Sequence, residues 1–172
     1  MNRKILVSAL CLALVGATSP AWGACATPGN ASKLKGNFAQ LLSGFADTSP
    51  GGGPFATSNS APESSTGVLT ADGNGGFNAT LTFNIGGTVC SGTASGTYCV
   101  NNDGTGTESG TFTLGASQPA ACPPSGSENA SFTIVDPNRV DFISTSSDTV
   151  LSGTAIRQNG GSGKGQGQGD KD

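Results

Sequence analysis

The chain contains no histidine among its 172 residues. This absence excludes Ser–His–Asp and Cys–His catalytic arrangements, together with zinc sites that depend on imidazole ligands. Charged residues are also scarce, at 11% of the chain, and the formal net charge is −3. Because no run of basic residues occurs, the sequence has no electrostatic footprint for nucleic acid. We therefore expect neither histidine-based catalysis nor a nucleic-acid partner.

Long hydrophobic runs are absent after the beginning of the chain. A basic start at 2–4 precedes an apolar segment at 5–15, and the small residues at 21–23 suit a signal peptidase. We predict a signal peptide at 1–23 and a secreted or periplasmic protein. Cys25 leaves an alternative open, an outer-membrane lipoprotein with lipid on this thiol. No later segment is long enough for a membrane helix, so no membrane span is expected after signal removal.

The rest of the chain is rich in Thr, Ser and Gly, with apolar residues at alternate positions. From Phe77 to Ile85 every odd position is apolar and every even position is polar, which is the period of a strand with one buried face. The best helical candidate is one short turn at 31–35. The pattern predicts eight strands, at roughly 36–45, 65–71, 76–86, 89–101, 105–114, 129–135, 138–146 and 149–158.

Eight consecutive strands joined mostly by hairpin turns predict an all-β fold, an antiparallel up-and-down barrel. A two-sheet β-sandwich is the alternative that the same pattern permits. We expect one barrel domain at 24–158 and a disordered Gly- and Gln-rich tail at 159–172. Two connections are predicted to be long, 46–64 and 115–128.

An eight-stranded barrel has an interior just wide enough to be filled by side chains or to hold one small ligand. The expected partner is therefore a small apolar or amphipathic ligand, and no cofactor is indicated. Alternation places five phenylalanines inside the barrel as candidate ligand-binding residues: Phe77, Phe83, Phe112, Phe132 and Phe142.

The acidic residues are predicted to lie in turns or on outward-facing positions. Asp141, for example, alternates with Val140 and Phe142, which indicates that it faces solvent. A general acid–base pair needs burial to shift its pKa values. Since no carboxylate can be placed inside, the sequence assigns no catalytic residue.

Four cysteines follow the predicted signal peptide, and an even number in an exported chain is typical of disulfides. In an up-and-down barrel, Cys90 and Cys122 fall at one end, whereas Cys25 and Cys99 fall at the other. We predict the disulfides Cys90–Cys122 and Cys25–Cys99.

The segment 72–75, Asp-Gly-Asn-Gly, alternates oxygen ligands with glycine, as calcium loops do. It recurs at 103–106 as Asp-Gly-Thr-Gly, and no acidic residue follows the first copy to complete a calcium site. We predict that both segments are hairpin turns and that neither binds a metal.

The segment NASKLKGNF, 30–38, resembles the start of calycin barrels, the lipocalin group, although Phe replaces the Trp of their Gly-x-Trp motif. The resemblance implies that Phe38 plugs one end of the barrel and that Arg157, from the last strand, covers it in a cation–π contact. It also implies that the connection 46–64 is a lid. The alternative for Arg157 is an exposed arginine at the end of a strand.

A wider resemblance rests on KGNFAQLLSGF, GVLTADGNGG, SGTYCVNNDGTGT and VLSGTAIRQ, in that order along the chain. In these segments the chain resembles a group of small secreted bacterial β-barrel proteins to which no activity is assigned. The resemblance implies the fold and export, and it implies no activity.

Three functions are compatible with this sequence. The first is a non-catalytic barrel that binds a small apolar or amphipathic ligand. The second is a structural or surface protein of the envelope, for which Thr-rich strands with few charges are suitable. The third is a cyclase or isomerase, which the lipocalin resemblance implies because related barrels include such enzymes.

Overall fold

The structure is a computed structural model, and it describes residues 30–47 and 60–158. The predicted signal peptide at 1–23, Cys25 and the predicted tail at 159–172 lie outside the described residues. Within the described ranges, no helix has the length and hydrophobicity that a bilayer crossing requires.

Eight antiparallel strands follow one another and close into a barrel, because β1 pairs with both β2 and β8. A short 3₁₀ turn, Ala31–Lys33, precedes them. The order of strands in the sheet is their order in the chain, so the up-and-down barrel is confirmed and the sandwich is excluded. The strands are β1 (Lys35–Asp47), β2 (Ser60–Asp72), β3 (Gly76–Ile85), β4 (Thr88–Val100), β5 (Thr105–Leu114), β6 (Gly126–Asp136), β7 (Arg139–Ser144) and β8 (Thr149–Arg157).

The apolar residues whose alternate spacing predicted the strands are buried in the barrel. In β3, Phe77, Ala79, Leu81 and Phe83 are buried, whereas the polar residues between them face solvent. Closure of β1 on β8 leaves no unpaired edge in the sheet, which removes the surface on which strands of other chains could add.

The first hairpin is longer than predicted. β1 continues to Asp47 and β2 begins at Ser60, so the predicted connection 46–64 is wrong at both ends. The composition around Pro62 is typical of a loop, but pairing with β1 continues through Gly44↔Glu63 to Asp47↔Ser60. Tertiary pairing here overrides weak strand propensity. The remaining residues of the predicted lid lie outside the described ranges.

One end of the barrel, called the closed end below, is filled by Leu34, Phe38, Tyr98 and Arg157. Phe38 is 1% exposed, and the Arg157 Cζ lies 4.9 Å from the centroid of its ring. The same guanidinium donates hydrogen bonds to the carbonyl oxygens of Pro137, at 2.8 Å, and Lys35. Arg157 therefore joins β8 to the beginnings of β1 and β7 across the ring.

Gly36 makes room for this contact. Its φ of +121° is a conformation that favours glycine, and a Cβ there would lie 3.0 Å from the Arg157 Nη1. The glycine of the Gly-x-aromatic segment is thus required both by the backbone and by the arginine that covers the ring.

The 3₁₀ turn is held against the closed end by a tyrosine. Leu34 is 2% exposed, and the Tyr98 hydroxyl donates to its carbonyl oxygen at 2.6 Å. The same hydroxyl accepts a hydrogen bond from the Gly73 amide at 3.0 Å. The chain that precedes β1 is consequently tied to β4 and to the β2–β3 turn.

The predicted disulfide Cys90–Cys122 is confirmed, with the two Cα atoms 5.9 Å apart. It joins the beginning of β4 to the connection between β5 and β6. Cys99 is also disulfide-bonded. Its predicted partner, Cys25, lies outside the described residues, so the pairing Cys25–Cys99 remains a prediction.

The two Asp-Gly segments are hairpin turns, as predicted. The Asp72 Oδ1 accepts hydrogen bonds from the amides of Asn74, at 2.6 Å, and Gly76, at 2.9 Å. The Asp103 Oδ1 accepts from the Thr105 hydroxyl at 2.7 Å and from its amide at 3.0 Å. These hydrogen bonds lower the pKa of each aspartate. Both carboxylates therefore serve to stabilise the turns.

Replacement of Arg157 by Met should destabilise the barrel, because it removes the cation over Phe38 and two hydrogen bonds to backbone carbonyls. We expect the free energy of unfolding in urea to fall by about 1 to 3 kcal/mol. The control is Arg139→Met, since Arg139 is exposed and forms only a surface ion pair with Asp141. Equal losses in the two variants would contradict the role assigned to Arg157.

Candidate functional site

The barrel interior is not completely filled. A cavity of about 180 Å³ extends from Gln40, one inward-facing position beyond Phe38, to Asp47 and Glu63 at the opposite end, called the open end below. Since a cavity of about 150 Å³ accommodates benzene, this volume suits a ligand with one aromatic ring and a short substituent. Four phenylalanines and two small residues are among its lining: Phe77, Phe83, Phe112, Phe142, Ala79 and Ala94.

Phe132, the fifth phenylalanine predicted inside, is not among the residues that line this cavity. It faces inward and is 3% exposed, but its ring lies over Gly106, where a Cβ would come within 2.2 Å of the Phe132 Cζ. Its ring also packs against Phe142, with 5.7 Å between centroids. Phe132 is therefore part of the core beside the cavity and does not belong to its wall.

The cavity rings also lie over glycines of neighbouring strands. A Cβ on Gly92 would come within 2.5 Å of the Phe112 ring, and one on Gly110 within 2.8 Å of the Phe77 ring. Phe112 also meets Phe83 edge to face, with 5.3 Å between centroids. The rings are thereby fixed against the sheet, which leaves space along the axis of the barrel.

Three glutamates face the cavity, contrary to the expectation that no carboxylate lies inside. Glu63, Glu108 and Glu128 all line it. Each lies an even number of residues from a buried residue of its own strand, and therefore on the same inward face: Glu63 with Leu69, Glu108 with Phe112 and Glu128 with Phe132. For Glu108, which lies inside the predicted strand 105–114, this alternation was visible in the sequence and could have located the side chain. Glu63 and Glu128 lie in the predicted connections 46–64 and 115–128, where no alternation was expected. The placement of acidic residues in turns and outward positions is thus wrong for these three.

These glutamates are difficult to ionise together. Burial raises the pKa of Glu63 to about 7, with added repulsion from Glu128 and Asp148. Burial likewise raises the pKa of Glu108 to about 7, again with repulsion from Glu128. Burial and the charge of Asp148 raise the pKa of Glu128 as well. The group therefore changes its charge near neutral pH.

Two neutral polar side chains complete the wall. Gln40 and Ser65 are 9% and 7% exposed, and both line the cavity. Among residues 30–47 and 60–158, no fully buried side-chain nitrogen or oxygen atom lacks a hydrogen-bond partner. The wall's polar atoms that form no hydrogen bond with the described residues are therefore reached by solvent. A molecule that enters the cavity replaces that solvent at these atoms.

Charges of opposite sign are separated along the barrel. No lysine or arginine in the described ranges lines the cavity, whereas Asp47 and Asp148 join the glutamates near its open end. The basic residues belong to the closed end and are engaged there; for example, the Lys33 Nζ donates to the Asn102 carbonyl at 3.1 Å. The described lysines and arginines are Lys33, Lys35, Arg139 and Arg157.

In residues 30–47 and 60–158, no group of three His, Cys, Asp or Glu side chains is arranged to hold a metal ion. The wall thus combines aromatic rings, acidic groups, and the amide and hydroxyl groups of Gln40 and Ser65. This combination can bury an apolar body while hydrogen-bonding its polar substituent.

The barrel is similar to de novo designed β-barrels among solved structures. A chain from the de novo design of transmembrane β-barrels is 11% identical, with a TM-score of 0.52, over 72% of this chain and 97% of that chain. A redesigned barrel, mFAP1, bound to DFHBI, is 16% identical over 75% of this chain and 99% of that chain, with a TM-score of 0.46. At such identities the similarity shows the fold alone. No known protein family matches the sequence, and no curated protein matches it.

The free energy of unfolding should decrease as the pH rises from about 4.5 to about 7. The lower limit is the ordinary pKa of a glutamate, and the upper limit is the pKa to which burial raises Glu63 and Glu108. Within this interval the folded state binds protons that the unfolded chain has lost, so each glutamate contributes stability at low pH that ionisation removes. We expect a loss of about 1 to 3 kcal/mol per group, measured by urea unfolding between about pH 4.5 and pH 8.

The control for this profile is the double variant Glu63→Gln/Glu108→Gln, in which the decline over the same interval should be much smaller and due to Glu128. The hairpin carboxylates Asp72 and Asp103, with lowered pKa values, act in the opposite sense at more acidic pH and remain in both proteins. An undiminished decline in the double variant would contradict the assignment.

Proposed function

We propose that this chain is an exported, non-catalytic binding protein that holds one small apolar or amphipathic ligand inside its barrel. The observation that carries this proposal is the cavity of about 180 Å³, whose wall includes four phenylalanine rings. Transfer of an apolar ligand from water to such a wall is favourable by about 25 cal/mol per Å² of apolar surface buried.

The aromatic part of the wall stands on paired strands and not on loops. The Phe83 and Phe112 rings contact each other, and the Phe112 and Phe77 rings lie over glycines whose replacement would displace them. A site that is rigid before binding loses little conformational entropy when the ligand enters.

Export is the second part of this proposal. The segment 1–23 has the order of a signal peptide, and the disulfide Cys90–Cys122 is of a kind that persists in oxidising compartments. We favour a secreted or periplasmic protein, with anchoring through a lipid on Cys25 as the alternative. The contact between Arg157 and Phe38 supports kinship with calycin-like barrels and with the small secreted bacterial β-barrel group.

A larger residue at Ala94 should block binding. Ala94 is 4% exposed, lines the cavity and lies opposite Ala79 in the sheet, so the side chain of Ala94→Met would occupy the free space. The probe is phenethyl alcohol, a neutral ligand of the expected size, detected by saturation-transfer NMR and titration calorimetry. We expect its affinity to fall at least about tenfold, which corresponds to about 1.4 kcal/mol.

The matched control is Thr93→Met, which adds the same side chain to the outer surface of β4 and should bind the alcohol as the parent does. Circular dichroism establishes that both variants are folded. Equal binding by the Ala94 and Thr93 variants, or no binding by the parent, would refute the internal site.

A structural or surface role is the second candidate, and one observation favours it. Leu41 and Phe45 of β1 are 65% and 49% exposed, and Val150 of β8, which pairs with Phe45, is 54% exposed. These residues form an apolar stripe on the outside of the seam between the first and last strands. Exposed apolar surface of this kind is common at interaction sites.

Cross-linking on intact cells separates the two candidates. A surface role predicts that Leu41→Ser/Phe45→Ser loses its cross-linked partner while Ala94→Met retains it. The ligand-binding role predicts that the serine variant still binds phenethyl alcohol as the parent does. Retention of every cross-link by the serine variant would rule out this stripe as the interaction surface.

A further inference from the structure

We infer that the ligand of the barrel is a small organic cation, an amine whose ammonium group lies among the glutamates and whose apolar body lies against the phenylalanine rings. This inference rests on the proposed function, because it specifies the chemistry of the ligand in the same cavity. Three independent properties of the wall support it.

The first property is the sign of the charges. In the described ranges, the lining of the cavity includes no lysine or arginine, and five acidic side chains line it: Asp47, Glu63, Glu108, Glu128 and Asp148. Charges in a partly desolvated interior interact more strongly than in water. A cation in the cavity would relieve the repulsion among these carboxylates, whereas an anion would add to it.

The second property is the presence of neighbouring hydrogen-bond acceptors on the wall. Ser65 is 7% exposed, lines the cavity and lies two residues from Glu63, on the same face of β2. An ammonium group carries up to three N–H donors. The Ser65 hydroxyl and the ionised Glu63 carboxylate both accept such donors, so one ammonium group would contact a neutral and a charged acceptor of the same strand.

The third property is the ring-lined interior. Phe83, Phe112 and Phe142 line the same cavity as the carboxylates. The face of an aromatic ring attracts a cation, and the attraction increases when the cation is desolvated. The rings can thus bury the apolar part of an amine and also stabilise its charge, which a wall of aliphatic side chains could not do.

The distribution of charge over the whole barrel favours entry of a cation from the open end. The described basic residues, such as Lys33 and Arg157, are engaged at the closed end. The acidic residues near the open end, Asp47, Glu63, Glu128 and Asp148, form the rim through which a ligand would pass. Clefts lined by one sign of charge raise the local concentration of ions of the opposite sign.

The groups that face this site make binding depend on pH. Five carboxyl groups surround the cavity: Glu63 on β2, Glu108 on β5, Glu128 on β6, Asp47 at the end of β1 and Asp148 before β8. Tyr98 on β4 pairs with Glu108, but its hydroxyl forms hydrogen bonds at the closed end. An aliphatic ammonium keeps its proton up to about pH 10. Because burial raises the pKa values of Glu63 and Glu108 to about 7, acidification below that pH protonates these two groups and leaves the ligand charged.

The test compares three probes of nearly equal size on the purified full chain by titration calorimetry: phenethylamine, a cation; phenethyl alcohol, neutral; and phenylacetate, an anion. At about pH 8 we expect the amine to bind at least about tenfold more tightly than the alcohol, and phenylacetate to bind most weakly. At about pH 5 the preference for the amine should shrink, while binding of the alcohol stays constant.

Near pH 7 the amine should also displace protons from the wall, because the bound cation favours the ionised carboxylates. The binding enthalpy of the amine should then differ between phosphate and Tris buffers by an amount that reflects proton release, and the enthalpy of the alcohol should not. This measurement detects the coupling directly and does not depend on the absolute affinity.

Substitutions test whether the preference for the amine comes from the carboxylates of the cavity. Glu108→Gln and Glu63→Gln should each weaken amine binding several-fold at about pH 8 and weaken alcohol binding much less, because only the amine carries a charge. Asp141→Asn, which removes one charge from the outer surface of β7, should alter neither and serves as the charge control.

The possible outcomes separate the two proposals. Binding of the alcohol without any preference for the amine at pH 8 would overturn the cation inference and leave the binding function intact. Equal weakening of amine binding by Glu108→Gln and Asp141→Asn would also overturn it, because the effect would then come from net charge. Binding of none of the three probes would refute the ligand-binding function together with this inference.

Discussion

Contacts between rings and glycines control the interior of this barrel. Eight strands enclose a space that ordinary side chains can fill completely. Here three phenylalanine rings lie over glycines: Phe132 over Gly106, Phe112 over Gly92 and Phe77 over Gly110. A Cβ atom on any of these glycines would collide with the ring above it. Each ring therefore lies against the sheet and not across the axis. The cavity exists because glycines on the wall accommodate the largest side chains that point inward.

The two ends of the barrel differ in physical character. At the closed end, Arg157, Phe38 and Tyr98 form a layer in which the polar groups are hydrogen-bonded and the ring is covered. Toward the open end, Glu63, Glu128 and Asp148 line the cavity. The stabilising layer and the acidic groups are thus separated along the barrel. Substitutions in the cavity can change ligand preference while the closed end maintains the fold.

The fold could be predicted from the sequence because strand period and turn chemistry agree. β5 begins and ends at its predicted residues, and the Asp72 and Asp103 turns lie where the glycines indicated. The extension of β1 and β2 into a Pro- and Ser-rich segment could not be predicted, since it depends on pairing between strands. Local composition contains no information about that pairing.

The inward position of Glu108 could have been predicted from the sequence, whereas those of Glu63 and Glu128 depend on strand extensions that could not. Glu108 lies four residues from Phe112 and therefore on the same face of β5. The prediction that Glu108 faces outward followed the general rule that carboxylates avoid protein interiors. That rule fails where an interior contains a cavity. Whether the interior is hollow could not be inferred from the sequence, because the free space depends on which ring lies over which glycine.

The seam between β1 and β8 also constrains how the molecule can form. Arg157 hydrogen-bonds Lys35 across 122 residues of sequence, so the ring of strands closes only after its last strand has been synthesised. Contacts of such high sequence separation belong to slow folding transitions. Until the ring closes, β1 and the last completed strand each present an unpaired edge to which strands of other chains can add, so late closure makes the nascent chain prone to aggregation.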